Sequence, residues 1–152
     1  MIVLTRVDHR LLHGQVAFSW TSHLSADCIL IANDEVAGDE TKKTIIRLAK
    51  PSGVKLVIKS VANSIKAINN GATDKYKLFV VVKSIDDAYQ LITNVASIKK
   101  LNLGGTKYSE DKEAISSAIF VTGTEKEELR KLSDLGIEVY AQQVPTSKRK
   151  DF

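Results

Sequence analysis

Short apolar runs alternate with longer stretches in which apolar residues recur every third or fourth position, and the pair repeats five times along the chain. Residues 2–7 read as a first strand, followed by the polar loop Asp8-His9-Arg10-Leu11-Leu12-His13. From Gly14 the spacing changes: Val16, Trp20 and Leu24 recur every four residues, which places them on one buried helix face. Residues 28–32 form a second strand that stops at Asn33-Asp34. Asp39 is placed to cap a helix carrying Ile45, Ile46, Leu48 and Ala49. That helix must end before Pro51, because the residue preceding proline avoids the helical region.

A turn at Pro51-Ser52-Gly53 leads into strand three at 54–59, and Ser60 caps a short helix to Asn69, ended by Asn70-Gly71. The run LFVVV within 77–83 is the continuous apolar pattern of a strand covered on both faces. Ser84 with Asp87 and Thr124 with Glu127 each have the spacing of a capping box. Strand five spans 98–103 before Gly104-Gly105, a further strand is expected at 115–121, and Leu129, Leu132 and Leu135 line a helix stopped by Gly136. A last strand at 137–143 precedes a basic, proline-containing tail. The pattern predicts one α/β domain over 1–152, with a mostly parallel sheet of about seven strands and helices on both faces. No helix is evident between strands five and six, so one strand there is expected to run antiparallel.

Composition narrows the function more than the fold. A length of 152 residues, 43% hydrophobic and 26% charged, suits one globular domain. No apolar run approaches the roughly 20 residues of a membrane helix, and the N-terminus has no signal-peptide pattern. The expectation is a cytoplasmic protein whose membrane role, if any, comes through a partner. The single cysteine, Cys28, excludes an intrachain disulfide, and its apolar surroundings read as a buried thiol. Net charge is +4, gathered in clusters such as Lys42-Lys43, Lys99-Lys100 and Lys148-Arg149-Lys150. Aromatics are 6% and do not alternate with the basic residues, which speaks against nucleic-acid binding.

Ligands of open α/β sheets bind outside the carboxyl ends of the strands. The loop after strand one is the richest such place, since Arg6, Asp8, His9, Arg10 and His13 converge there and Gly14-Gln15 opens a helix. A neutral imidazole is a competent nucleophile near pH 7. A phosphoryl group passing to it spreads charge over three equatorial oxygens. Arg10 and Arg6 offer cationic forks for that charge, the amides of Gly14, Gln15 and Val16 offer the donors of a helix start, and Asp8 can orient an imidazole or an arginine. Metal binding by His9 and His13 is disfavoured by the flanking arginines. Gly104-Gly105 lacks the nucleotide-binding glycine patterns. A phosphoacceptor Asp34, as in a receiver domain, is undercut by Lys59 at the end of strand three. Two readings remain: a phosphoryl carrier on His13, or a non-catalytic module that binds an anion or nucleotide at the same strand ends.

The segment RVDHRLLHGQVAFSW resembles the N-terminal signature of the mannose/sorbose-type IIB subunits of the sugar phosphotransferase system. Arg6, Asp8, Arg10, His13, Gly14, Gln15 and Trp20 fall in register, and IANDEVAGDE and LNLGG resemble later segments of that family. The resemblance implies a phosphohistidine at His13, formed on Nδ1 by transfer from a IIA subunit or domain and passed to the sugar carried by IIC and IID membrane subunits. It implies a protein-phosphohistidine–sugar phosphotransferase without metal or cofactor, at the inner face of the membrane and often dimeric. Arg10 would neutralise the phosphate while Arg6 and Asp8 hold the loop. The sugar stays open among mannose, fructose, sorbose and amino sugars. Two departures stand out: His9 replaces a common acidic residue, and family members run beyond Phe152 into a short C-terminal helix.

Overall fold

The computed structural model describes residues 1–152. Its first half contains β1 (Ile2–Asp8), α1 (Gly14–Leu24), β2 (Cys28–Ala32), α2 (Asp34–Ala37), α3 (Glu40–Leu48), β3 (Lys55–Lys59) and α4 (Val61–Asn69). The second half contains β4 (Leu78–Val82), α5 (Ile85–Asn94), β5 (Lys100–Gly105), β6 (Glu113–Ser116), β7 (Ile119–Val121), α6 (Gly123–Asp134), β8 (Glu138–Ala141) and β9 (Lys150–Asp151). Seven strands make one sheet in the order β3-β2-β4-β1-β5-β8-β9, parallel throughout except for β9. The chain winds outward through β2 and β3, returns at β4 and continues the other way through β5 and β8. The carboxyl end of β1 therefore lies where the winding reverses, the position at which a crevice opens.

The period of two along each central strand divides the core between two faces. Ile29, Ile31, Phe79 and Val81 pack with Leu11, Leu12, Trp20, Val36 and Ile46 on the α1–α3 side. Leu30, Val80 and Val82 pack with Ile85, Leu91, Leu129 and Leu132 on the α4–α6 side. Both LFVVV and CILIA are buried along their whole length, as a strand covered on both faces requires. The Cys28 thiol is buried among these apolar side chains, which pushes its pKa up.

Asp39, Ser60 and Ser84 cap their helices as expected. The last capping box lies two residues earlier than predicted: Thr122 Oγ1 accepts from the Glu125 amide at 3.1 Å, and Glu125 Oε1 from the Thr122 amide at 2.9 Å. Thr122-Glu125 and Thr124-Glu127 share one spacing, and the end of β7 at Val121 selects the first. The predicted strand at 115–121 is instead an antiparallel hairpin, β6–β7, folded at Ser117-Ala118 and separate from the main sheet. The seventh strand comes from the tail, where β9 pairs antiparallel with β8.

Where α5 and α6 pack together, burial, the neighbouring Asp86 carboxyl and the charge of Glu125 raise the Glu128 carboxyl to about 7, with Lys131 opposing. A carboxyl raised on folding contributes stability that is full below its unfolded value and is lost as pH rises through the folded one. Glu128→Gln is therefore expected to stabilise the protein at pH 8 by roughly 1 kcal/mol, allowing for solvent screening. At a pH of about 3.5, below the unfolded value, both states of the wild type are mostly the neutral acid and the melts should coincide. Paired thermal melts check both arms.

Candidate active site

The loop between β1 and α1 is tied at each step. The His9 amide donates to Gly105 O at 3.0 Å, the Leu11 amide to Asp8 O at 2.8 Å, and the Arg10 amide to Asp8 Oδ1 at 3.0 Å. Leu11 has φ 59°, a left-handed conformation that costs a non-glycine residue about 1–2 kcal/mol. Its side chain and that of Leu12 are buried in the α1–α3 core, and burial of two leucines at about 1.5–3 kcal/mol each outweighs that strain. Gly14 follows with φ 40°, where a side chain would again be strained.

Asp8 is completely buried and is the hub of the loop. Its Oδ2 accepts from Arg6 Nη2 at 3.1 Å and from His13 Nε2 at 2.9 Å. Burial pushes its carboxyl up. The hydrogen bond to His13, the Arg10 amide and the charge of Arg6 outweigh burial and hold it below the usual carboxylate value. An ionised Asp8 can only accept, so His13 Nε2 carries the proton and the lone pair is left on Nδ1, which has no partner in the protein. His13 is also the N-cap residue of α1, with φ −150° and ψ 131° and no side-chain capping bond, because its ring is turned to Asp8. The first amide to close onto α1 is that of Ala17, on His13 O. The N–H groups of Gly14, Gln15 and Val16 are consequently unpaired beside the imidazole.

The two arginines part company. Arg10 is 56% exposed, with Nε 3.7 Å from Asp8 Oδ1, and stays free to meet an anion at the mouth of the loop. Arg6, expected among the phosphate ligands, is instead 3% exposed and points into the interior. Its Nη1 donates to Asn102 Oδ1 at 2.6 Å and to Gln142 O at 3.1 Å, its Nη2 goes to Asp8, and the guanidinium lies 5.3 Å from the centre of the Trp20 ring. With all these donors engaged below the loop, Arg6 braces Asp8 and has no path to an outside anion. Burial draws its pKa down, with Asp8 opposing. Trp20 is core, as its position in the helix pattern implied, and its indole N–H donates to Gln143 O at 2.9 Å.

Asp34 and the two other histidines lie apart. His9 Nδ1 is shielded near Gly105 without a partner. Asp34 opens α2 and accepts from the Val61 amide at 2.9 Å, a link between two helix starts. His23 stands edge-on to Trp20 at 6.1 Å. The supporting carbonyls of Gln142 and Gln143 left no mark in the sequence, since backbone acceptors belong to every residue. Asn102 did leave one, as a polar side chain inside the apolar run LNLGG.

The chain matches the family model described as PTS system sorbose subfamily IIB component over residues 2–152. It is 32% identical over 152 residues to the sorbose-specific EIIB component of Lacticaseibacillus casei, covering 100% of this chain and 93% of that protein. To the fructose-specific EIIB component of Bacillus subtilis it is 31% identical over 151 residues, covering 99% of this chain and 93% of the relative. The crystal structure of the N-acetylgalactosamine-specific IIB component 1 of Escherichia coli is similar at TM-score 0.94 and 28% identity, over 100% of this chain and 99% of that one.

Proposed function

The chain belongs to the sorbose subfamily of phosphotransferase-system IIB components, and from that membership we propose that His13 is the residue on which it carries the phosphoryl group. A IIB component is a transferase of the sugar phosphotransferase system, working with IIA and with IIC and IID. The observation that carries the residue assignment is the 2.9 Å contact of His13 Nε2 with the buried Asp8, which leaves Nδ1 as the nucleophile.

In the proposed step, the Nδ1 lone pair of His13 forms a bond to phosphorus while the donor's P–N bond breaks and its electron pair returns to the donor imidazole. Arg10 and the free amides of Gly14, Gln15 and Val16 meet the charge on the equatorial oxygens. The positive charge that grows on the His13 ring is shared with Asp8 through Nε2–H, and Arg6 keeps Asp8 in place. In the second step a sugar hydroxyl attacks phosphorus and gives up its proton to water, while the His13 P–N bond breaks and its electron pair returns to Nδ1. This defines a protein-phosphohistidine–sugar phosphotransferase without a metal or cofactor.

The relatives' names include sorbose, fructose and N-acetylgalactosamine at similar identity, so we assign the choice of sugar to the membrane subunits. No helix is long and apolar enough to cross a membrane, and the proposed location is the cytoplasmic face, against IIC and IID. Pairing as a homodimer is part of the same proposal.

Incubation with phosphoenolpyruvate, the energy-coupling enzymes and a IIA donor is expected to give an acid-labile, base-stable label. No label with a competent donor would favour an anion-binding module instead. Asp8→Asn is expected to slow labelling about a hundredfold, since the amide can hold either ring nitrogen state and no longer shares the charge. Single-turnover kinetics at a temperature where the variant, weakened by loss of the Arg6 ion pair, is still folded would show it, and a wild-type rate would remove Asp8 from the mechanism.

A further inference from the structure

A cleft of about 590 Å³ opens at the carboxyl ends of β5 and β8. Its floor is Leu103-Gly104 and Ala141-Gln142, one wall is the Ser116–Ile119 turn of the β6–β7 hairpin, and the other is the tail from Ser147 to Lys150. The volume lies in the range of small-molecule sites.

The walls are fixed by their own bonds. The Gln142 side-chain amide donates to Pro145 O at 3.2 Å and to Ser147 O at 2.9 Å, which shapes the tail as it leaves β8. Lys150 Nζ donates to Ile115 O at 2.7 Å and ties the tail to the hairpin. Arg149 lies 3.9 Å from the centre of the Tyr140 ring and pairs with Glu138 and Asp151.

What these bonds leave unused defines the ligand. Lys148 is in no ion pair or hydrogen bond within the chain, and the hydroxyls of Ser116 and Ser117 and the side-chain amide of Gln143 are also free. Of the thirteen residues that line the cleft none is acidic and three are cationic; Arg149 is offset by Glu138 and Asp151, so Lys148 and Lys150 carry the bias. The cleft is thus biased toward an anion. No aromatic side chain lines it, so it offers no stacking platform for a nucleobase, while its free hydroxyls and amide suit a body rich in hydroxyl groups.

We propose that this cleft binds a phosphorylated sugar, the class of product that the reaction releases, with Lys148 on the phosphate and Ser116, Ser117 and Gln143 on the hydroxyls. The identity of the ligand rests on the phosphoryl-carrier reading above. The floor of the cleft also touches the brace under Asp8, because Gly104 backs the Arg6 guanidinium and Gln142 O accepts from both Arg6 and Asn102.

The test is titration of the full chain, followed by amide NMR, with mannose 6-phosphate, fructose 6-phosphate, the free sugars and inorganic phosphate. Saturable shifts at Ser116–Ala118 and Gln143–Lys148 are expected with sugar phosphates, with weaker binding of phosphate alone and none of free sugar. Lys148→Gln should weaken binding about tenfold. Lys148 is exposed, so the variant folds, and IIA-dependent labelling of His13 without added product should be unchanged. Ser117→Tyr, on the exposed turn, should occlude the cleft. His13→Ala should bind as the wild type does, so loss of the carrier reading and loss of the cleft are told apart. Absence of binding, equal binding of inorganic phosphate, or shifts centred on Arg10, Gly14 and Gln15 would each overturn the proposal.

Discussion

His13→Ala is expected to abolish phosphoryl labelling from IIA while leaving the fold in place. The second half of that statement makes the first informative. His13 is 24% exposed and contributes no side-chain cap to α1, so its ring adds little to stability beyond one hydrogen bond, worth about 1–3 kcal/mol when one partner is charged. Asp8 keeps Arg6 and the Arg10 amide in the variant, so no bare buried carboxylate results. A melt within a few degrees of the wild type, together with no acid-labile label, would locate the carrier at this side chain. The two other histidines are the rivals. His9 turns its Nδ1 inward, and His23 sits near the far end of α1, away from the unpaired amides. His9→Ala is accordingly expected to label as the wild type does. Label that persists in His13→Ala would assign the phosphate elsewhere and overturn the mechanism.

Much of this architecture was legible because its causes are local. Strand and helix periods follow from where apolar residues stand, and LFVVV admits few alternatives to a strand buried on both sides. The charged loop between β1 and α1 was legible for a different reason: several charged residues at one strand end, followed by a glycine and a helix, form a cluster on the chain itself. The errors fall where long-range contacts decide. The run at 115–121 looks like a sheet strand until Ser117-Ala118 folds it back on itself. The two-residue β9 carries no pattern of its own and exists because β8 has an open edge. Arg6 is the instructive case at the site: its charge suggested a phosphate ligand, while the family resemblance gave it the loop to hold with Asp8, and its contacts match the second role. Its strand position, with Asn102 as its direct neighbour on β5 and Trp20 above, sends it inward, and none of those partners lies near it in sequence.

The same brace leads to the second large effect, at Gly104. Gly104 lies within β5 and needs no positive φ; it is glycine because Arg6 lies against it. A Cβ at Gly104 would overlap the guanidinium carbon and both terminal nitrogens of Arg6. Arg6 cannot easily give way, since it is buried and held by Asn102, Gln142 O, Asp8 and the Trp20 ring. Displacing it would leave the wholly buried Asp8 without its cation, a loss of about 3–5 kcal/mol. For a domain of this size that corresponds to a fall of about 10 °C in Tm. Gly104→Ala should therefore melt well below the wild type. It should also lose transfer activity at temperatures where it is still folded, because Asp8 no longer fixes the His13 tautomer. Gly105→Ala is the control: its Cβ would meet His9 Nδ1 at 3.5 Å and Asp8 Oδ1 at 3.8 Å, ordinary contact distances, so its melt should stay within about 1 °C of the wild type. Equal melts for the two variants would mean that Arg6 moves aside without penalty, and the buried brace would then not be what holds Asp8 under His13.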